Sequence, residues 1–190
     1  MRVVLGSASP RRRDLLQQLG LEFDVVAPDI DETPLHGERP VQYVRRLALG
    51  KSAAIAAPDD ALVITADTTV DLDGCILGKP VDTADAAAML RRLSARTHRV
   101  HTGVAVRLGD RTQCDVVTSL VTFTPLTAAS IEWYVGTGEP LDKAGAYAVQ
   151  GAGGVFVQRI RGSVSNVVGL PLHTVVGLAA DLGVVLVGGD

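Results

Sequence analysis

Through residue 93 the chain alternates apolar runs of strand length with segments of helical period. Strands are expected near residues 2–6, 22–27 and 62–66, and helices near 10–19, 40–56 and 84–93. Such alternation builds an α/β sheet covered by the intervening helices. After residue 98 the pattern changes. Two long β-rich segments, HRVHTGVAVRL and QCDVVTSLVTF, are separated by Gly109-Asp110 and read as a hairpin, so part of the sheet is expected to be antiparallel. A helix opening at Thr127 runs to about 136, strands follow near 145–149 and 154–160, and a last helix near 171–182 ends at Gly183. No repeat, low-complexity tract or linker interrupts the pattern, so one domain over 1–190 is expected. The tail GVVLVGG reads equally as a final strand or a contact surface.

A chain of 190 residues, 47% hydrophobic, can bury a substantial core, as one large domain or as two lobes around a shared cleft. The 21 acids and 18 bases give a net charge of -3, so no global basic field exists to hold a nucleic-acid polymer. Aromatics, at 4%, are too few for a base-stacking surface, and any anion site must be local. Cys75 and Cys114 form no CxxC or Cys/His spacing, which argues against zinc and a disulfide framework and suits a reducing compartment. The apolar stretch at the N-terminus is too short for a signal peptide, and none approaches the roughly 20 residues of a membrane span. A soluble, cytoplasmic protein that engages no membrane is expected.

Against this background several charges are misplaced. In LGSASPRRRDLL, Ser9 reads as an N-cap and Pro10 as the first helical residue, so Arg11, Arg12 and Arg13 fall in the opening turn. A cation there gives up roughly 0.3–1 kcal/mol to the helix dipole. At 100° per residue Arg12 lies within the stripe of Leu15, Leu16 and Leu19, Arg11 to one side, and only Arg13 faces solvent. Two readings stand: a solvated basic helix start, or a phosphate site made of these forks, the hydroxyls of Ser7 and Ser9, and free backbone amides. Val44, Ala48, Lys51 and Ile55 follow helical spacing, so Lys51 sits on an apolar stripe and must snorkel or meet an anion. Asp67 ends a buried run, Leu62 to Ala66, where it either caps the next turn or serves a metal, a cation or a reacting water. Asp31 and Glu32 in DIDETP, Lys79 between Gly78 and Pro80, and Glu139, Lys143 and Gln150 in GEPLDKAGAYAVQG are ordinary turn residues one by one. The glycines of QGAGG would let a ligand approach the backbone. Neither GxxxxGK[ST] nor GxGxxG is present, and His36, His98, His101 and His173 share no motif, so surface or core roles are expected for them. Together the cations and acids suit a polyphosphate with a divalent metal.

In order and spacing, SASPRR, DETP, RLALGK, ADTTV, GKP, THRVHTGVAV, EPLDKAGAYAVQG and GSVSNVVGLPL resemble the Maf-like (septum formation inhibitor) nucleotide pyrophosphatases, from about residue 3 to residue 180. The resemblance implies a fold similar to the inosine triphosphate pyrophosphatases: an elongated mixed β-sheet flanked by helices, with two lobes around a central cleft. It implies hydrolysis of a nucleoside triphosphate to the monophosphate and pyrophosphate with Mg²⁺ or Mn²⁺. Carried over position by position, the general base falls on Asp67, substrate contacts on Ser7, Arg11, Arg12, Lys51 and Lys79, and metal contacts on Glu32 and Asp67. Three positions divide the family by substrate. Arg11, Thr68 and Gln150 match the branch that prefers dTTP and UTP, whereas the 7-methyl-GTP branch carries an aromatic, a glutamine and a glutamate. The Gln150 amide both donates and accepts, as the N3–H and O4 of uracil or thymine require, whereas a carboxylate only accepts. The competing reading is a nucleotide-binding regulator of cell division with little turnover, which needs the cations but not Asp67. The expected partner is the nucleoside triphosphate, with a homodimer left open.

Overall fold

The computed structural model describes residues 1–188. A short first strand, β1 (Val3–Gly6), leads into helix α1 (Pro10–Gln17), the two-residue strand β2 (Asp24–Val25) and helix α2 (Pro40–Ala54). Strand β3 (Leu62–Leu72) and strand β4 (Cys75–Leu77) form a tight hairpin, followed by helix α3 (Thr83–Leu93). The long hairpin of β5 (Thr97–Leu108) and β6 (Arg111–Phe123) comes next, then helix α4 (Ala128–Gly136). Three 3-10 turns (Glu139–Asp142, Ala144–Ala146, Ala152–Phe156), strand β7 (Val157–Arg161) and helices α5 (Val164–Val168) and α6 (Leu172–Asp181) complete the order.

The seven strands make one mixed sheet in the order β2-β1-β3-β5-β6-β7, with β4 added to β3. Strand β1 is parallel to both β2 and β3, and the later pairs are antiparallel. The hairpin turns at Gly109-Asp110 as the sequence predicts, Leu108 pairing with Arg111. One core cluster gathers Leu5, Leu16, Leu62, Ile64, Val104, Leu170 and Val175 beneath α1, α5 and α6. A second gathers Val70, Leu90, Leu93, Val100, Phe123, Tyr134 and Phe156 beneath α3 and α4. Each such side chain withdrawn from water contributes roughly 1.5–3 kcal/mol. His98, buried in the second cluster edge-on to Phe123 and Tyr147, has its pKa pushed down to about 4 by burial, so it is a neutral core residue. His101 is likewise buried, between Asp71 and Thr118.

Four expectations need correction. Asp67 does not end its strand: the β-branched Thr68, Thr69 and Val70 continue it to Leu72, and the chain reverses at Asp73-Gly74, whose φ values of 55° and 84° suit a type I′ turn. The expected strand at 145–149 is absent, because Gly145 and Ala146 both take positive φ (69° and 59°) and begin a turn instead. Residues 154–156 belong to a 3-10 turn, so the strand near 154–160 starts only at Val157. Ser9 holds the N-cap position of α1 without a side-chain capping bond. In the tail, residues 184–186 form no strand, and Val184 and Leu186 seal the first core cluster; Gly189 lies outside the described residues.

The pairing pattern leaves a gap. Strand β1 pairs with β3 only as far as Gly6 opposite Thr65, and β4 only from Leu77 opposite Val70. Residues 66–69 of β3 therefore have a strand neighbour on one side alone, β5. Both flanking strands end at this gap, and the segments that follow them, 7–9 and 78–79, open beside it. Helix α2 lies across one face of the sheet here. Thr65 Oγ1 donates to the Ala48 carbonyl at 2.8 Å, and Gly103, paired with Asp67, leaves room for the Val44 carbonyl, which a Cβ would strike. This close seat brings the third turn of α2 down onto Asp67. A Gly103→Ala substitution should cost about 1–3 kcal/mol by overpacking and lower the thermal midpoint by several degrees; a melt indistinguishable from the parent would show that α2 does not need the glycine.

Candidate active site

Around the gap lies a cavity of about 450 Å³, a size suited to a small ligand. Ser7, Arg11, Arg12, Glu32, Lys51, Asp67, Thr68, Lys79 and Gln150 all line it, although they come from six separate parts of the chain. Asp31, by contrast, is exposed and accepts its own Asx-turn bond from the Thr33 amide at 2.8 Å. Glu139 is not among the lining residues, whereas Lys143, ion-paired with Asp142, is.

The floor is ionic. Lys51, 7% exposed, does not snorkel: its Nζ lies 2.7 Å from Asp67 Oδ1 and 2.7 Å from Glu32 Oε1. Burial pushes the Asp67 carboxyl above its ordinary value, against the opposing pull of Lys51 and Arg12. Arg12 approaches from the opposite side of β3. Its Nε donates to the Gly169 carbonyl at 2.7 Å, Nη1 to Ser7 Oγ at 3.1 Å and Nη2 to Thr68 Oγ1 at 3.0 Å. Ser7 Oγ also accepts the Ser9 amide at 3.2 Å. Three of the five guanidinium N–H groups are thus held by protein, which fixes the side chain and leaves two for a ligand. Arg11 and Lys79 line the cavity without forming an ion pair among the described residues.

Glu32 rides on an irregular strap that α2 clamps from below. Tyr43 Oη donates to the Glu32 carbonyl at 3.0 Å, and Arg46 Nη2 to the Thr33 carbonyl at 3.1 Å. Arg46 also grips both oxygens of Glu38 at 2.7 Å. Burial, with the charges of Asp67 and Glu32, pushes the Tyr43 hydroxyl up to about 12, so it remains a donor at neutral pH. Sequence reasoning misses Tyr43. It stands eight residues before Lys51, about 80° round the helix from it, beside the apolar stripe and not on it.

Val70, Val100, Val149, Val167 and Val168 also line the cavity, as does the exposed Gln150. The lining therefore combines charged side chains with apolar ones. For a divalent cation, the structure offers two carboxylates, Glu32 and Asp67, aimed at one cationic centre. Among the described residues no group of three or more His, Cys, Asp or Glu side chains could hold a metal alone. Two carboxylates with the remaining positions left to phosphate and water is a donor set that Mg²⁺ accepts.

Solved structures similar to the chain include a Ham1 protein of Staphylococcus aureus, 18% identical, which covers 65% of this chain and 72% of its own at a TM-score of 0.47. Among curated proteins, one from Anaeromyxobacter dehalogenans (strain 2CP-C) is 54% identical over 187 residues, 96% of this chain and 94% of its own length. One from Myxococcus xanthus is 53% identical over 185 residues, 97% of this chain and 94% of its own. Both bear the name dTTP/UTP pyrophosphatase. The family model described as "Maf-like protein" matches residues 2–182. This chain belongs to the Maf-like protein family.

Proposed function

We propose that this protein is a nucleoside triphosphate pyrophosphatase that hydrolyses dTTP and UTP to the monophosphate and pyrophosphate. The observation that carries the reading is the ionic floor: a buried lysine between two carboxylates, with two arginines lining the same cavity. Relatives about half identical over nearly the whole chain carry that activity in their names.

Each residue has a role that its surroundings support. Asp67 orients and deprotonates the water that attacks the α-phosphorus. Its burial favours this, because a carboxyl raised above its ordinary value is a stronger proton acceptor, and general-base catalysis is worth about 10²–10⁴ in rate. Arg11, Arg12, Lys51 and Lys79 bind the phosphate oxygens and stabilise the charge that grows on departing pyrophosphate. Arg12 is held rigid by its three protein bonds, so it costs little reorganisation when the charge develops. Glu32 and Asp67 would hold a divalent metal. When bound, that metal supplies further charge neutralisation of the triphosphate and lowers the pKa of its water. Ser7 contributes a hydroxyl beside the phosphates, and Gln150 meets the base. A binder without turnover would have no use for a buried, proton-accepting Asp67, which favours the enzyme over the regulator.

Asp67→Asn should fold, since Lys51 retains Glu32, yet lose about 10²–10⁴ in kcat for dTTP hydrolysis. Turnover above a tenth of the parent rate would remove Asp67 from the base role. Gln150→Glu should shift the ratio of kcat/KM values away from dTTP and UTP, because the carboxylate cannot donate to O4; an unchanged ratio would dismiss the pairing.

A further inference from the structure

Two of the bonds that hold Arg12 lead back to side chains that do not line the cavity. The first goes to the Thr68 hydroxyl. Its oxygen accepts Arg12 Nη2 at 3.0 Å and lies 2.9 Å from Thr102 Oγ1, which donates to the Asn166 carbonyl at 3.0 Å. A carbonyl only accepts, so the Thr102 hydrogen is committed there and the Thr68 hydrogen points to Thr102. The other acceptor near Thr68, the Gly169 carbonyl, lies at 3.5 Å and already takes Arg12 Nε at 2.7 Å. The relay therefore runs one way, from Arg12 through Thr68 and Thr102 to the backbone of α5. The second bond goes to that Gly169 carbonyl, on the residue after α5. Asn166 seats α5 on the sheet: its Nδ2 donates to the Val100 carbonyl of β5 at 3.1 Å and to Ser119 Oγ of β6 at 2.9 Å. Ser119 gives its own hydrogen to the Ser163 carbonyl at 3.0 Å, so both groups facing the amide are acceptors and its orientation is fixed. Gly169 has a φ of 122°, and a Cβ there would come within 3.3 Å of Thr68 Oγ1 and 3.5 Å of Arg12 Nε. The glycine keeps the space between the two anchors clear.

Thr102 and Asn166 are both fully buried, and neither is among the cavity residues. Buried polar groups are tolerated when paired, and the Thr102 hydroxyl is paired along the path that ends at Arg12. We propose that Thr102 is a positioning residue for Arg12: acting through Thr68, on a frame that Asn166 ties to the sheet, it holds the guanidinium so that its two remaining N–H groups are ready to meet phosphate oxygens, and so raises kcat without touching the nucleotide. This rests on the reading of Arg12 as a phosphate-binding group. A long arginine free to choose rotamers must be ordered as charge develops on the leaving group, whereas one already ordered adds no such cost to the barrier. A misplacement of about 1 Å at such a group can lose about 10²-fold in rate.

The test is a double-mutant cycle on the full chain: parent, Thr102→Val, Arg12→Ala and the two combined, with kcat and KM measured for UTP with Mg²⁺ and Thr102→Ser as the conservative variant. Thr102→Val keeps the shape and removes the hydroxyl. It should lower kcat about tenfold with KM within about threefold of the parent, and Thr102→Ser should bring kcat back to within about threefold. In the Arg12→Ala background the same Thr102→Val change should lower kcat by less than about twofold, because no guanidinium remains to be positioned. A loss as large in that background as in the parent would overturn the proposal. So would an unchanged kcat in Thr102→Val, or a kcat in Thr102→Ser no higher than in Thr102→Val. Thr68→Val breaks the relay one step nearer Arg12, and the same cycle run with it decides the matter if Thr102→Val does not fold. If Arg12→Ala itself hydrolyses UTP within about threefold of the parent rate, the phosphate reading of Arg12 is what has failed, and the positioning falls with it.

Discussion

Over residues 66–69 the strand β3 has a neighbour on one edge only, because β1 has already ended and β4 has not yet begun. The other features of the site follow from that interruption. Strand ends that face each other across a gap deliver their following loops to the same place, the position at which α/β sheets bind ligands. Here the loops bring Ser7, the start of α1 and Lys79. With no side neighbour, the strand can be reached from both faces, and Lys51 from α2 and Arg12 from α1 meet it from opposite sides. The antiparallel hairpin β5–β6 secures the remaining edge along its full length, so the gap does not loosen the strand that carries Asp67.

Charge balance then decides what the gap can hold. The buried Lys51 and Asp67 would each be costly alone, and removing one partner of such a pair costs about 3–5 kcal/mol, whereas Glu32 meets Lys51 from a half-exposed position. Held together they are tolerable, and they hold each other poised. Lys51 bridges two acids and offsets one of their charges, Arg12 offsets the other, and Arg11 and Lys79 leave the cavity short of negative charge. A triphosphate supplies that charge. The valines in the lining supply no charge and suit the base.

Much of the charged end is legible before any fold is known, because helical period alone puts Lys51 and Arg12 on apolar stripes where a cation has no structural reason to be. Asp67 is legible as a buried acid but not as a mid-strand one. The reversal signal, Asp73-Gly74, lies six residues further on and outweighs the apparent boundary. Residues 145–149 have the apolar alternation of a strand, yet their neighbouring amides are satisfied by Tyr134 and Glu139, and a partner that distant leaves no periodic trace. The glycines of QGAGG mislead for the same reason: what approaches their backbone is the chain itself, the Glu139 carboxylate at Gly151, the Tyr134 hydroxyl at Gly153 and the Val149 carbonyl at Gly154. Tyr43 and Arg46 escape notice because they bond to carbonyls of an irregular strap, and backbone acceptors have no sequence signature.

The most direct test is a crystal structure with a dTTP analogue whose α,β-bridging oxygen is replaced by a methylene, grown with Mg²⁺. The account predicts phosphate oxygens within about 3 Å of Arg11, Arg12, Lys51 and Lys79, with the base beside Gln150. A nucleotide bound away from the gap in β3, or one whose phosphates lie beyond the reach of Lys51 and Arg12, would contradict it.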